Sequence, residues 1–439
     1  MKTDDGRLTA QERRSVLFGP LIRILTTPLV AVLGLVNTAI IVRETGVAAF
    51  GLVSLIATVT LFLPFLDLGV GATVINASAQ LNGPSRDPDA ADVIRRGYHV
   101  LGVVAAVVLA AAVCIMVANG WAAVVGFSTG PHDRWAITAA VCIFALTIPA
   151  GLGLRILVGL DRMPVAMLVY TSFPAFAVAV TLLLRWLGAD GIWYSISSLS
   201  GVLIGEGVAS VLALRISGLG WSAFARVPQY SGRRRLLAGS LWLFIVGVGV
   251  PVGLQGGRVI LAHLSTPTQL SEYALMAQIY GIVWSALFTA GMVYWPVFLK
   301  RRTATEASVR MWWQLNATFG GLALAAVAGF VLLAPMMATQ LSGGRIAISA
   351  SLALGFGALL VAQSAHLASS VLLTSPDEAR WQASCAVAMA ALSIGLGCGV
   401  ADRFGAVGVV WMSAVAILAA QVVPDFVWVP TLVRRRSRT

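Results

Sequence analysis

The sequence predicts an all-α polytopic membrane protein of about twelve transmembrane helices, arranged as two six-helix halves around a central cavity. Three observations lead to this fold class. Of the 439 residues, 58% are hydrophobic and only 11% are charged, whereas soluble globular domains are about 45–50% apolar. The apolar residues form runs of about 20–25 residues, each able to cross a hydrocarbon core of about 30 Å. Short polar breaks separate the runs, so the helix is the unit of organisation.

The apolar runs define the helices in chain order. In the first half they predict helices over 16–42, 50–75, 97–118, 135–158, 164–186 and 190–215. In the second half they predict helices over 236–262, 272–298, 312–337, 346–373, 380–400 and 405–431. Hydropathy fixes such ends only to within a few residues. Because the number of crossings is even, both ends of the chain are expected on the same side of the membrane.

The helices divide the chain into five predicted segments. These are an N-terminal tail (1–15), a six-helix lobe (16–217), a basic linker (218–235), a second six-helix lobe (236–432) and a basic C-terminal tail (433–439). The two lobes show a weak repeat, since the offset that places Pro28 on Pro251 also places Gly34 on Gly257. Six helices per repeat indicate parallel repeats, related by an axis along the membrane normal.

Basic residues predict the orientation. Of the 30 Lys and Arg residues, 22 fall on the side of the two termini, and five (Arg43, Arg134, Arg185, Arg345 and Arg403) fall on the opposite side. Cytoplasmic loops carry an excess of Lys and Arg. We therefore expect a multi-pass protein of the inner (cytoplasmic) membrane, with both termini in the cytoplasm and only short exterior loops.

Composition and motifs exclude several functions. The net charge of +12 comes from arginines in short loops, without the contiguous basic face that nucleic-acid binding requires. The four cysteines and four histidines show no metal-ligand spacing. The sequence contains no Gly-rich nucleotide-binding loop ending in Lys-Ser or Lys-Thr. We therefore expect no nucleic-acid partner, no metal and no cofactor.

Two hairpins carry a resemblance to a known family. The segment from Ile41 to Leu52, followed by an apolar run that ends in Phe65-Leu-Asp-Leu-Gly69, resembles the first hairpin of polysaccharide-biosynthesis (O-antigen-type) flippases. The segments Ile260 to Ser265 and Glu272 to Gln278 resemble the hairpin between the seventh and eighth helices of that family. These flippases belong to the multidrug, oligosaccharidyl-lipid and polysaccharide exporter superfamily.

The resemblance implies a function that breaks no bond, so we expect no enzymatic activity. It implies that a lipid-linked oligosaccharide on a polyprenyl pyrophosphate carrier is moved from the inner to the outer leaflet by alternating access. Membrane lipids, and glycan polymerases or other assembly enzymes, are the implied partners. A cation-coupled multidrug exporter of the same superfamily is one alternative. A membrane glycan polymerase or ligase is another, and it would require a large exterior loop.

Charged residues inside the apolar runs are the main site candidates, because an ionisable group in a membrane helix costs at least about 2.5–3.5 kcal/mol and normally faces a cavity or the bundle interior. In the first helix, one stripe at helical spacing contains Arg23, Thr27, Val30, Gly34 and Asn37. The resemblance implies that Arg23 binds the pyrophosphate of the lipid carrier, because a guanidinium group forms bidentate hydrogen bonds with phosphate oxygens. Alternatively, Arg23 reaches out to the inner headgroups. Asn37 is a candidate for the cavity wall.

Arg258, near the outer third of the seventh helix, is the second cationic candidate. It follows Pro251 and three glycines at four-residue spacing, Gly249, Gly253 and Gly257. Proline permits a bend and small residues permit close helix approach. A bendable helix that carries a cation suits alternating access, whereas the alternative is a packing face with an outward-reaching arginine. Gln255, one turn earlier, is a further cavity candidate.

Glu206 lies near the middle of the sixth helix between Gly205 and Gly207. It is either a site for a coupling proton or cation, or the countercharge of Arg155 or Arg258. Arg155 itself, near the inner end of the fourth helix, either reaches the headgroups or lines the inner mouth.

The remaining polar and aromatic candidates lie in the second half. Gln278 is included among the cavity residues. Gln363 and His366 are expected either to line a cavity or to bridge helices, and Asp425 to be paired or to cap a helix. An aromatic stripe on the eighth helix favours packing, with contact to sugars as the alternative: Tyr280, Trp284, Phe288 and Trp295.

Overall fold

The computed structural model describes residues 10–62, 66, 69–81, 88–220, 241–300, 304–373 and 376–435. Side chains are described from residue 26 onward, except at 61–62, 88–89, 241, 243–244, 296, 299–300, 376–377 and 435. The described residues are helical, with short connections and no strand. The α-helices are α1 (Ala10–Ala57), α2 (Val70–Leu81), α3 (Pro88–Val117), α4 (Trp121–Val125), α5 (Pro131–Ala150), α6 (Leu152–Gly159), α7 (Met163–Trp186), α8 (Ser195–Ser217), α9 (Leu241–Leu264), α10 (Pro267–Met292), α11 (Trp295–Lys300), α12 (Thr305–Ser342), α13 (Ala350–Leu372), α14 (Pro376–Ile417) and α15 (Val423–Arg435).

Among the described residues, ten helical stretches are long and apolar enough to span a membrane. Two of them contain a glycine with positive φ in their interior: Gly46 (φ 77°) within Thr26–Thr60, and Gly405 (φ 52°) within Glu378–Arg434. A side chain disfavours this backbone conformation, and glycine lacks one. Division at the two glycines gives the twelve segments that hydropathy predicts, and the all-α polytopic fold class is confirmed.

The turn at Gly405 is held from another helix. The Gln269 side chain accepts a hydrogen bond from the Ala406 backbone N–H at 2.9 Å. A Cβ atom at position 405 would lie 2.3 Å from that same Gln269 oxygen. Position 405 therefore requires glycine for two reasons: its backbone conformation has a positive φ, and the Gln269 side chain approaches it closely.

Some predicted helices are interrupted. The continuous helix expected over 50–75 is wrong, because α2 starts at Val70 directly after Gly69, which has a φ of 76°. The helix expected over 135–158 is also divided, between α5 and α6. Pro149 lies just before this division, and proline removes a backbone donor and disturbs the preceding turn.

The described chain forms two compact units. The first comprises residues 1–44, 59–121 and 129–238. Its core contains the fully buried Ile94, Ile156 and Leu157. Helices α6 and α8 approach closely at Gly153, where a Cβ atom would lie 2.2 Å from the Ser210 backbone nitrogen. Small residues permit such close contact between membrane helices.

The second unit comprises residues 239–439 together with two short stretches from earlier in the chain, 45–58 and 122–128. The Ser271 hydroxyl donates a hydrogen bond to the Val47 carbonyl. A Cβ atom at Gly51 would lie 2.6 Å from the Ser271 oxygen, and one at Gly126 would lie 2.6 Å from the Ala262 carbonyl oxygen. Both stretches are therefore packed tightly against α9 and α10.

Candidate functional site

Polar side chains inside the membrane-spanning helices fall into distinct groups in each unit. Arg23 lies within α1, but its side chain is outside the described part of the structure. The other sequence-predicted candidates are described, and each is placed below by its contacts.

Asn37 belongs to a buried hydrogen-bonded cluster in the first unit. Its Oδ1 accepts from the Thr181 hydroxyl at 2.6 Å, and its Nδ2 donates to Ser197 Oγ at 3.4 Å. The two hydroxyls lie 2.5 Å apart, and Ser197 also donates to the Ala177 carbonyl at 3.3 Å. Because these bonds join α1, α7 and α8, the polar atoms of Asn37 bridge helices within the unit.

Glu206 is buried in α8, with 8% of its surface exposed. Its Oε1 lies beside Gly151, where a Cβ atom would be 3.3 Å away. Its Oε2 is buried without a hydrogen-bond partner among the described residues. The positive charge of Arg155 acts on this carboxylate, and the Arg155 side chain is exposed. Of the two arginines considered as countercharges, Arg155 lies close enough to Glu206 to interact with it electrostatically.

Arg258 is held by an amide. Its Nη1 donates to Gln255 Oε1 at 2.7 Å, one helical turn earlier on α9. Its Nε is buried with no hydrogen-bond partner in the described residues, and within these residues it makes no ion pair with a carboxylate. Tyr273 lies close enough to interact with it electrostatically. Gln278 is half-buried on α10, and the described residues offer it no hydrogen bond to this pair.

The second unit encloses a cavity of about 120 Å³. Apolar side chains of α9, including Val250 and Leu254, form one wall, and Trp284 and Phe288 of α10 form another. The polar part of the lining comes from α13, α14 and the segment between α14 and α15: Gln363, His366, Ser370, Gln382 and Gln421.

A buried acid–base pair borders this cavity. His366 Nδ1 lies 2.7 Å from Asp425 Oδ2, and Asp425 is only 1% exposed. This contact joins α13 to α15 across 59 residues of sequence. The expectation that Asp425 is paired is thereby confirmed, but its partner was not foreseen.

Gln421 enters the cavity from a single turn of π-helix, Leu418–Val422. Pro424 follows within α15. Its ring cannot donate the hydrogen bond that would return to residue 420, which loosens the regular α-helical pattern here. Single π-turns inside α-helices occur frequently at functional sites. The sequence signal that was available is a glutamine and an aspartate flanking a proline in an otherwise apolar run.

The predicted aromatic stripe is divided in the structure. Tyr280 is 9% exposed and donates its hydroxyl hydrogen to Gln363, so it packs in the core. Trp284 and Phe288 face the cavity, with ring centroids 5.9 Å apart. Trp295 lies beyond the end of α10 and is 45% exposed.

A second cavity, of about 310 Å³, lies in the first unit. Its lining is largely apolar, and its two hydroxyls are already used. Tyr98 and Ser210 lie 3.2 Å apart, and Ser210 donates to the Ala150 carbonyl at 2.8 Å. Arg215 is the charged residue in this lining. The cavity of the second unit, by contrast, is lined by three glutamines, a histidine and a serine. The described residues contain no group of three or more His, Cys, Asp or Glu placed to hold a metal ion.

Comparisons with solved structures agree with this architecture. An inward-facing multidrug resistance MATE family transporter of the MOP superfamily is 14% identical, with a TM-score of 0.75 over 96% of this chain and 99% of that chain. The lipid II flippase MurJ, in an inward closed conformation, is 12% identical, with a TM-score of 0.65 over 95% and 90%. An outward-facing MATE family transporter is 15% identical, with a TM-score of 0.61 over 100% of both chains. At these identities the likeness shows the fold alone.

Comparison with protein families adds a more specific relationship. No curated protein sequence matches the chain at a significant level. A family model described as polysaccharide biosynthesis protein matches residues 19–301, which is more than half of the chain. The chain therefore belongs to the polysaccharide biosynthesis protein family.

Proposed function

We propose that this protein is a flippase that moves a polyprenyl-pyrophosphate-linked oligosaccharide from the inner to the outer leaflet of the inner membrane. In this proposal both termini are cytoplasmic, transport occurs by alternating access, and the exported lipid is used by glycan polymerases or other enzymes of surface polysaccharide assembly. Membership of the polysaccharide biosynthesis family supports the class of substrate.

The observation that carries the proposal is the environment of Arg258. Inside a membrane span, an arginine is usually paired with an acidic group or with backbone carbonyls. Here its described hydrogen-bond partner is the neutral Gln255, and its Nε remains unpaired. An amide orients the guanidinium without neutralising it. The guanidinium therefore keeps a positive charge that a pyrophosphate group could neutralise in another state of the transport cycle, and arginine has the matching geometry for phosphate oxygens.

The membrane potential supplies a driving force in this proposal. An inside-negative potential favours outward movement of negative charge by about 2.3 kcal/mol per charge per 100 mV. A pyrophosphate headgroup carries at least one negative charge per phosphate, so transport needs no nucleotide.

Two alternatives predict different features. A cation-coupled multidrug exporter favours an unpaired acidic site for its substrate, whereas Asp425 is paired with His366. A glycan polymerase or ligase is expected to carry a large exterior loop. In the described residues the connections between spans are short, such as the two residues between α9 and α10.

Reconstitution in liposomes tests the proposal. A labelled lipid-linked oligosaccharide is placed in vesicles with the protein, and its exposure on the opposite leaflet is followed with an impermeant reagent. We expect transport by the wild type, a loss of at least about ten-fold in Arg258→Ala, and partial recovery in Arg258→Lys, which restores the charge without the planar fork. Arg310→Ala, at an exposed arginine of α12, is the matched control and should transport normally.

Two outcomes contradict the proposal. Wild-type protein that exposes no labelled lipid above the level of empty vesicles would exclude the flippase function. Near wild-type transport by an Arg23→Ala, Arg258→Ala double variant would show that neither arginine handles the substrate.

A further inference from the structure

We propose that the cavity of the second unit is a binding site for the uncharged, hydroxyl-rich sugar portion of the transported lipid. This inference rests on the proposed function and names the part of the substrate that the second unit recognises.

The polar lining offers both donors and acceptors. An amide side chain carries one acceptor oxygen and two donor hydrogens. Gln363 uses its oxygen for the Tyr280 hydroxyl, and Gln382 uses its nitrogen for the Ser369 carbonyl at 3.3 Å. The other half of each amide, and the whole side chain of Gln421, makes no hydrogen bond among the described residues. Sugar hydroxyls donate and accept at the same time, so they match this mixed set.

The charges of the lining favour a neutral ligand. Asp425 is buried against His366 at a distance of 2.7 Å, so its carboxylate already has a partner. Among the residues that the structure describes, no lysine or arginine lines the cavity. A cationic drug would find no unpaired carboxylate among the described lining residues, and a phosphate would find no guanidinium or ammonium group.

The aromatic wall supplies the complementary apolar surface. A pyranose ring presents a face of C–H groups, which carry partial positive charge, and an aromatic ring presents a negative face. Trp284 and Phe288 form a tilted pair with centroids 5.9 Å apart. Phe288 keeps 38% of its surface exposed, so this wall is not sealed inside the unit. A few convergent polar groups beside aromatic side chains are typical of small-ligand sites.

The lining residues lie near one set of helix ends. Ser370 is in the last turn of α13, Gln382 is in the second turn of α14, and Phe288 is near the end of α10. Under the predicted topology these are the cytoplasmic ends. A sugar headgroup on the inner leaflet would therefore meet this cavity at the start of transport.

Binding of two lipid probes tests the inference. The first is the lipid-linked oligosaccharide extracted from a strain deleted for the gene, and the second is polyprenyl pyrophosphate without sugar. We expect Gln421→Leu and Trp284→Ala to weaken binding of the glycosylated lipid by at least about ten-fold, because each removes a contact made only to the sugar. Binding of the bare carrier should remain within about two-fold, since its pyrophosphate is bound elsewhere. Gln314→Leu, the same change at an exposed position of α12, should bind both lipids normally.

The outcomes separate this inference from the proposed function. If wild-type protein transports the labelled lipid in liposomes but the cavity variants bind both probes as tightly as wild type, the sugar site is wrong and the flippase function stands. If the variants leave lipid binding intact but alter the dependence of transport on pH or sodium, the cavity serves a cation and the inference is overturned. A variant that binds neither probe has lost its fold. Trp284→Phe then carries the test: its smaller ring offers less surface to the sugar, so it should weaken binding of the glycosylated lipid only.

Discussion

The contact between His366 and Asp425 can be tested as a structural link between α13 and α15. We consider His366→Leu, Asp425→Ala and the double variant. In His366→Leu, the Asp425 carboxyl group stays buried, with 1% of its surface exposed, and loses the ring nitrogen 2.7 Å away. The double variant removes both polar groups, so neither group stays buried without its partner.

The magnitude follows from burial. Removal of the hydrogen-bond partner of a buried polar group costs about 1–3 kcal/mol, and more when the group left behind is charged. We expect His366→Leu to lower the free energy of unfolding by at least about 1–3 kcal/mol. The double variant should lose about 2–3 kcal/mol less than the sum of the two single variants, since contacting residues couple on this scale.

An exposed pair on the same helix provides the control. Arg434 of α15 lies 2.8 Å from Glu306 of α12, and the two side chains are 54% and 68% exposed. Surface pairs contribute about 0–1 kcal/mol, so Glu306→Gln should have little effect. The assay is reversible unfolding in mixed micelles, followed by far-UV circular dichroism. A cost for His366→Leu no larger than that of the control, or additive costs in the double variant, would refute the reasoning.

Two further predictions concern packing and topology. Gly205→Ala should lower the free energy of unfolding by about 1–3 kcal/mol, as overpacking does, because its Cβ atom would lie 2.1 Å from a ring carbon of Phe173. Gly207→Ala, with nothing within 4 Å of its Cβ position, is the control and should be neutral in the same unfolding assay. In a background without native cysteines, Ala347→Cys at an exposed connection should react with an impermeant thiol reagent added outside intact cells, and Ser231→Cys should not. The reverse labelling pattern would invert the predicted orientation.

The helices were predictable because their signal is local. Each apolar run is long enough to span a bilayer, and the two positive-φ glycines lie at or next to polar breaks that interrupt the hydropathy. The interruptions at Gly69 and after Pro149 were missed, since a short break inside an apolar run barely changes its mean hydropathy. Hydropathy therefore identifies the spans better than it identifies their internal breaks.

The site was only partly predictable. The bond between Arg258 and Gln255 joins residues three apart, a spacing at which helix side chains meet. The partners of Asn37 and Asp425 lie 144 and 59 residues away. Such pairings depend on which helix faces pack together, and apolar sequences with little amphipathic pattern do not specify this. For the same reason, the sequence could not separate the packing role of Tyr280 from the cavity position of Trp284.

Residues 45–58 and 122–128 leave the ribosome well before most of the unit to which they belong. Phe50, Leu52 and Val53 are each at most 6% exposed in the finished protein, and Ser271, whose hydroxyl binds Val47, is synthesised more than two hundred residues later. During membrane insertion, these early segments therefore lack their packing partners until α9 and α10 have been synthesised. Completion of the second unit is therefore a late step that follows insertion of the early helices. If the two halves of the chain were expressed separately, the second half would lack residues 45–58 and 122–128, and in the first half these residues would have no unit to pack against.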